Sequence, residues 1–158
     1  MSTSTQSDSR GPLWSQAPVV AAVDNSASSQ AAIDAGVALA RELNAPLVFA
    51  YVRRGPPGFL GAPVYQQRLT KKMEEGERAL EAALRVAEAA GVEADGMILE
   101  GSPSRRIVEL ARARGARMVV VGRRRRRLGR SVSRAVVRAA RRPVIVAQGV
   151  APPILAGS

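Results

Sequence analysis

The chain contains no cysteine and no histidine among its 158 residues. Without cysteine there are no disulfide bonds and no thiolate nucleophile, and the composition fits a reducing compartment. Without histidine, Ser-His-Asp catalysis and imidazole base chemistry are excluded, and the commonest ligand of transition metals is missing. We therefore expect no metal site.

Aromatic residues and long apolar runs are also scarce. The aromatic fraction is 3% and the hydrophobic fraction 46%, so the core should consist mainly of Ala, Val, Leu and Ile. No run approaches the about 18 apolar residues of a membrane helix. The first residues, MSTSTQSDSRGPLWSQ, lack the apolar segment of a secretory signal. Together these features predict a cytoplasmic protein without a membrane segment.

Positive charge is in excess. The formal net charge is +11 and the sequence pI is about 11.6. Such a balance favours anionic partners, which it attracts at long range and binds with release of counterions. A soluble protein whose composition is merely rich in arginine would look the same, so both interpretations stay open.

The two ends of the chain differ in composition from its middle. Residues 1–17 are rich in Ser, Thr and Gln and are predicted to form a disordered arm, in which Trp14 is an isolated aromatic residue. Residues 149–158 contain two prolines and are predicted to be a tail. The remaining residues, 18–148, have the length of one domain.

Within the predicted domain, short apolar runs alternate with helical patterns. The runs have the continuous apolar character of strands buried on both faces, and they cover residues 18–24, 45–52, 92–101, 116–122 and 143–148. Helical spacing is found over about 27–43 and 66–90, from Ser102 to Gly115, and over about 131–141. This alternation predicts the α/β class, with a doubly wound sheet of five parallel strands and helices on both faces.

Ligands of such sheets bind beyond the carboxyl ends of the strands, where the strand order reverses. If the first and fourth strands are neighbours at the reversal, two turns meet there. One is Asp24-Asn25-Ser26. The other follows Gly122 and begins with five consecutive arginines, Arg123 to Arg127.

Three segments together resemble the universal stress protein family. VVAAVDNSASSQAAI resembles the opening strand and turn of the family, although Asn25 replaces the usual glycine. EGSPSRRIVELARARGARMVVVG is similar to its third unit, and SVSRAVVRAARRPVIVA matches its end in spacing from Ser131 to Pro143. The resemblance covers about residues 18–148 and implies the strand order 3-2-1-4-5, a role in stress tolerance and, in most members, a dimer.

Some members of this family bind ATP with Mg, and the resemblance implies which positions would do so here. Asp24 and the backbone of Val52 would face adenosine, and the turn after the fourth strand would hold ribose and phosphates. The implied nucleotide-binding residues are Asp24, Val52, Gly122, Arg123, Arg125, Arg130, Ser131, Val132 and Ser133.

The turn after the fourth strand departs from the family motif G-x2-G-x9-G-S/T. Arg125 and Arg130 stand at the second and third glycine positions, and nine positions, rather than the fourteen of the motif, separate Gly122 from Ser131. Glycine lets backbone N–H groups approach a phosphate, whereas arginine resists those conformations but offers five donors and a permanent charge. An anion could therefore be held by guanidinium groups, or the site could have been lost.

Two further functions are consistent with the sequence. A polyanion such as nucleic acid could bind the arginine-rich turn and one face of the last helix, through Arg124, Arg126, Arg127, Arg134 and Arg138. The turn has no aromatic residue for base stacking, and a solvated charged face would have the same sequence. Alternatively, the last strand, with Val144, Ile145 and Val146, would be an open edge through which a ligand-free scaffold forms a homodimer.

An enzyme is the least supported class. The sequence shows no catalytic constellation, and at most slow ATP hydrolysis is expected. The only lysines, Lys71 and Lys72, are predicted to lie on an exposed helix face. In the Gly- and Pro-rich segment 53–67, Phe59 or Tyr65 could cover a bound base or could simply anchor the loop.

Overall fold

The computed structural model describes residues 16–54, 61–123 and 132–148. Strands and helices alternate along these residues. The strands are β1 (Val19–Val23), β2 (Leu47–Arg53), β3 (Ala94–Glu100), β4 (Met118–Gly122) and β5 (Val144–Ala147). The helices are α1 (Ala27–Leu43), α2 (Ala62–Ala89), α3 (Pro103–Ala113) and α4 (Val132–Ala139).

The five strands form one parallel sheet in the order β3-β2-β1-β4-β5, which confirms the predicted topology. Residues of alternate parity on each strand face opposite sides of the sheet. Val19, Ala21 and Val23 of β1 belong to the core that α1 and α2 cover, whereas Val20 belongs to the core under α3 and α4. Both faces of the central strands are therefore buried, as their continuous apolar runs predict.

The helix boundaries follow from local sequence. Gly91 has a φ of 71° and Gly115 a φ of 60°, so each takes the left-handed conformation that ends a helix. The start of α2 was predicted at residue 66, but the helix begins at Ala62. Proline is well tolerated in the first turn of a helix, and Pro63 lies there. Part of the segment read as a loop is therefore helical, including Tyr65.

The sheet opens at its carboxyl edge between β1 and β4. β1 pairs with β2 over five residues, up to Val23 opposite Tyr51, but with β4 over only three, up to Ala21 opposite Val120. The ends of β1 and β4 therefore separate at the point where the strand order reverses. This is where a doubly wound sheet offers space for a ligand.

The predicted arm, with Trp14, and the predicted tail lie outside the described residues, apart from positions at their borders. Among the helices that the structure describes, none combines the length and apolar character that a membrane crossing requires.

Candidate functional site

A cleft of about 290 Å³ lies at the carboxyl edge of the sheet. This volume is at the lower limit of typical small-molecule sites. One wall of the cleft is apolar and is formed by Ala22, Ala50, Val52, Pro103, Ile107, Val121 and Val132. The rim is polar and includes Asp24, Asn25, Ser28, Ser29, Arg53, Arg54, Lys72 and Glu75. An apolar slot with a polar rim suits a flat ring that carries polar groups.

The turn after β1 is fixed by its own side chains. Oδ1 of Asp24 accepts hydrogen bonds from the backbone N–H of Ser26, at 2.7 Å, and from the Ser26 hydroxyl. The N–H of Asp24 donates to Oγ of Ser29 at 2.9 Å. Ser26 occupies the N-cap position of α1, but its hydroxyl bonds to Asp24 and Ser28 instead of an amide of the helix. Asp24 therefore stabilises the turn that positions it at the cleft.

Gly122 ends β4 against the first turn of α1. A Cβ at this position would lie 2.9 Å from the carbonyl carbon of Ser28 and still closer to its oxygen. Unbonded carbon atoms pack at about 3.5–4.0 Å, so no side chain fits without backbone movement. Gly122 is not among the described glycines with positive φ. Glycine is thus required here by close approach of two backbones, whether or not a ligand binds.

The carbonyl group of Val52 faces the cleft. The carbonyl of Arg53 accepts a hydrogen bond from the N–H of Gly101, just beyond β3. Carbonyl groups of successive strand residues point to opposite sides, so the carbonyl of Val52 points toward β1. The β1–β2 ladder ends with Val23 opposite Tyr51, one residue before Val52. The ladder therefore leaves this carbonyl oxygen beside the cleft.

A buried phenol lies next to the turn after β1. Tyr51 is only 8% exposed, and its hydroxyl accepts a hydrogen bond of 3.3 Å from Nδ2 of Asn25. Burial raises the pKa of Tyr51, and the negative charges of Glu75 and Asp24 raise it further, while the bond from Asn25 acts in the opposite direction. The phenol therefore stays neutral at physiological pH and acts as a fixed polar group.

Basic groups form the part of the rim contributed by β2 and α2. Arg53 forms an ion pair with Glu100, with 3.1 Å between Nη2 and Oε2. Nζ of Lys72 donates to the carbonyl oxygen of Arg54 at 3.2 Å. The prediction that both lysines are exposed is wrong for Lys72, which is half-buried and lines the cleft, whereas Lys71 is exposed.

The residues assigned to a nucleotide site are only partly brought together. Asp24, Val52, Gly122 and Val132 line the cleft. Arg123 and Ser133 do not line it: the first is exposed and its N–H donates to the carbonyl of Ala147, and the second is buried. Arg125, Arg130 and Ser131 lie outside the described residues, as does Phe59. Tyr65 lies in the first turns of α2 and does not line the cleft.

The structure describes only some of the residues that the polyanion and homodimer hypotheses use. Arg134 and Arg138 are exposed on α4, while Arg124, Arg126 and Arg127 lie outside the described residues. Val144, Ile145 and Val146 are half-buried in β5, which forms an edge of the sheet.

Sequence reasoning missed most of the polar rim. Arg53 directly follows the position assigned to the base, so its place at the carboxyl edge could have been read from the strand pattern. Lys72 reaches the same rim from α2, and no spacing in the sequence signals that contact.

Within the described part of the chain, no group of three or more acidic residues could hold a metal ion.

Comparison with known proteins identifies the family of this chain. The family model described as "Universal stress protein family" matches residues 17–148. The chain belongs to the universal stress protein family. No curated protein sequence matches the chain closely enough to count as a relative.

Solved structures of universal stress proteins share the fold. A protein of this family from Burkholderia pseudomallei is 26% identical, with a TM-score of 0.69, and the match covers 89% of this chain and 99% of that one. A universal stress protein in complex with cAMP is 28% identical, with a TM-score of 0.62, covering 84% and 96% of the two chains. A protein from Archaeoglobus fulgidus in complex with dAMP is 23% identical, with a TM-score of 0.66, covering 83% and 97%.

Proposed function

We propose that this universal stress protein binds an adenine nucleotide in the cleft at the carboxyl edge of the sheet. The observation that carries the proposal is the Val52 carbonyl beside an apolar slot. An adenine ring has an amino group that can donate to this oxygen, and its faces can pack against Val52 and Ile107. The related protein that binds cAMP supports the same ligand class.

The phosphates of the nucleotide would lie toward the segment that joins β4 to α4. Val132, in the first turn of α4, lines the cleft, so the positive end of that helix is directed to the same space. The proposal assigns phosphate contacts to Arg125, Arg130 and Ser131, with Mg bound to the phosphates of ATP, whereas Arg123 and Ser133 do not line the cleft and are left out. Asp24 would accept a hydrogen bond from the nucleoside.

Calorimetric titration with AMP, cAMP and Mg-ATP tests the proposal. We expect Asp24→Ala to weaken binding about tenfold, the loss associated with one hydrogen bond to a charged group. Asp34→Ala is the matched control, because Asp34 is an exposed acid of α1 away from the cleft. Absence of binding by all three nucleotides at millimolar concentration would refute the proposal.

The edge strand β5 favours a homodimer as the assembly in which this site works. β3 occupies the other edge of the described sheet, but it contains Asp95, Gly96 and Glu100, which disfavour pairing. β5 reads VIVA and has no charge. The carbonyls of Pro143 and Ala147 bond to β4, so the backbone groups of Val144 and Val146 point outward.

Proline at position 146 gives a test of this assembly. Val146→Pro removes an outward N–H and leaves the ladder to β4 intact, a position where edge strands tolerate proline. We expect a dimer for the natural chain and a monomer for Val146→Pro, with the same circular dichroism. A monomer already in the natural chain at micromolar concentration, by light scattering, would contradict the homodimer.

The uneven distribution of basic residues along the chain makes polyanion binding a second candidate function. Thirteen of the 24 basic residues follow Glu109, whereas no acidic residue does. Arg134 and Arg138 are one turn apart on α4, and a smaller cavity of about 240 Å³ between α3 and α4 is lined by Arg112, Arg141 and Arg142. Nη1 of Arg142 donates to the carbonyl of Ala116 at 2.7 Å, so this arginine also has a structural role.

The salt dependence of DNA binding tests this candidate. Each phosphate contact adds about 0.9 to the slope of log affinity against log salt, so the double variant Arg134→Gln/Arg138→Gln should lower the slope by about 2. The control is Arg41→Gln/Arg78→Gln, which removes two exposed arginines from the helices on the other face. No binding at low salt would eliminate the candidate.

A further inference from the structure

Arg53 carries hydrogen-bond donors that the described structure leaves unsatisfied. Its side chain is only 14% exposed, and its described partner is Oε2 of Glu100. Nε and Nη1 are both buried and have no hydrogen-bond partner among the residues that the structure describes. A buried charged donor without an acceptor is costly, so this position favours a ligand that supplies acceptor atoms.

The ion pair with Glu100 does not meet this need. The Glu100 side chain is 55% exposed, so water competes for the carboxylate and weakens the pair. A guanidinium has five N–H donors in a planar fork, and this pair uses one nitrogen. Arg53 also lines the cleft. An anion in the cleft would thus compete with Glu100 for the guanidinium.

The surroundings of Arg53 favour an anion. Arg54, which follows Arg53, and Lys72, which bonds to the Arg54 carbonyl, also line the cleft, as do the acidic residues Asp24 and Glu75. This basic end lies at β2, whereas the segment assigned to the 5′-phosphates follows β4. β1 separates the two strands, so they are about 10 Å apart at usual strand spacing. A nucleoside can span this distance.

We infer that Arg53 binds a second phosphate of the nucleotide, at the β2 end of the cleft and away from the 5′-phosphate. The ligand class is therefore a nucleotide with phosphate groups on two sides of the nucleoside, as in a nucleoside 3′,5′-bisphosphate or a dinucleotide. Arginine suits this role because its guanidinium fits phosphate geometry and keeps its charge in a partly buried site. This inference rests on the proposed nucleotide site.

The test compares AMP with adenosine 3′,5′-bisphosphate by calorimetry on the full chain. In the natural protein we expect the bisphosphate to bind at least about tenfold more tightly, as one charge-assisted contact gives. Arg53→Gln should bring the ratio of the two affinities close to one. Arg78→Gln, which removes an exposed arginine of α2, should leave the ratio unchanged.

The possible outcomes separate the inference from the function on which it rests. If AMP binds and the bisphosphate binds no better, the role of Arg53 is overturned and the nucleotide site stands. If neither ligand binds, both are overturned. If Arg53→Gln fails to fold, Glu100→Gln takes its place, because releasing Arg53 from its ion pair should raise the ratio. An unchanged or lower ratio in that variant would contradict the inference.

Discussion

Replacement of Gly122 by alanine tests the contact that shapes the cleft. The added Cβ would meet the carbonyl group of Ser28, which belongs to the backbone and cannot move aside by rotation of a side chain. Overpacking of this kind costs about 1–3 kcal/mol. Alanine also restricts the unfolded chain, which returns about 0.4–1 kcal/mol. The net loss in the free energy of unfolding should therefore be about 1–2 kcal/mol.

Thermal unfolding followed by circular dichroism measures this loss. For a chain of this size, each kcal/mol lowers Tm by about 2–4 °C, so we expect a fall of about 5 °C. Gly61→Ala is the control, because a Cβ there would meet no atom of the described residues within 4 Å. Its effect should stay within the about 1 kcal/mol of an N-cap substitution.

The same variant should also weaken nucleotide binding, since the only relief of the clash is to separate the end of β4 from the start of α1. A Gly122→Ala protein with unchanged Tm would refute the steric argument. A large fall in Tm with unchanged binding of AMP would instead refute the link between this contact and the proposed site.

Three further outcomes are expected. Val136→Ala should lower the free energy of unfolding by about 2 kcal/mol in urea titrations, because Val136 is fully buried, whereas Val137→Ala, at a residue 49% exposed, should have little effect. Gly76→Ala should destabilise the protein despite the about 1 kcal/mol gain in helix propensity, since its Cβ would lie 2.9 Å from the ring of Tyr51; a higher Tm would contradict this packing. Folding raises the pKa of Tyr51, so the neutral phenol's contribution to the free energy of unfolding is complete below about pH 10 and is lost as the pH rises toward the folded pKa. Above about pH 10, Tyr51→Phe should therefore lose less stability than the natural chain. Equal losses in the two proteins would contradict this.

The fold was predictable from sequence because its strands are buried on both faces. Runs such as PVVAAVD and ARMVVVG have no polar alternation, and parallel strands between two helical layers require this. The helix ends at Gly91 and Gly115 were predictable from local sequence, because glycine readily adopts the left-handed conformation that ends a helix. The start of α2 was not predictable, because proline occurs both in loops and in the first turn of a helix, where Pro63 lies.

The candidate site was less predictable, since its contacts join distant parts of the chain. The position of Asp24 followed from its place after β1. The steric need for Gly122 depends on Ser28, which reaches it only when α1 folds back on the sheet. The basic rim combines Arg53 at the end of a strand with Lys72 on a helix, and periodicity gives no sign of such a pairing.

The contact between Gly122 and Ser28 has a consequence for how this protein could change its ligand. The backbones of Gly122 in β4 and Ser28 in α1 meet at the cleft, so the space on this side cannot be adjusted by exchanging one side chain for another. The rim contributed by β2 and α2 consists of side chains and tolerates exchange. Changes in ligand selectivity, natural or engineered, should therefore occur at the β2 end of the cleft, while the β1–β4 end stays fixed by the backbone.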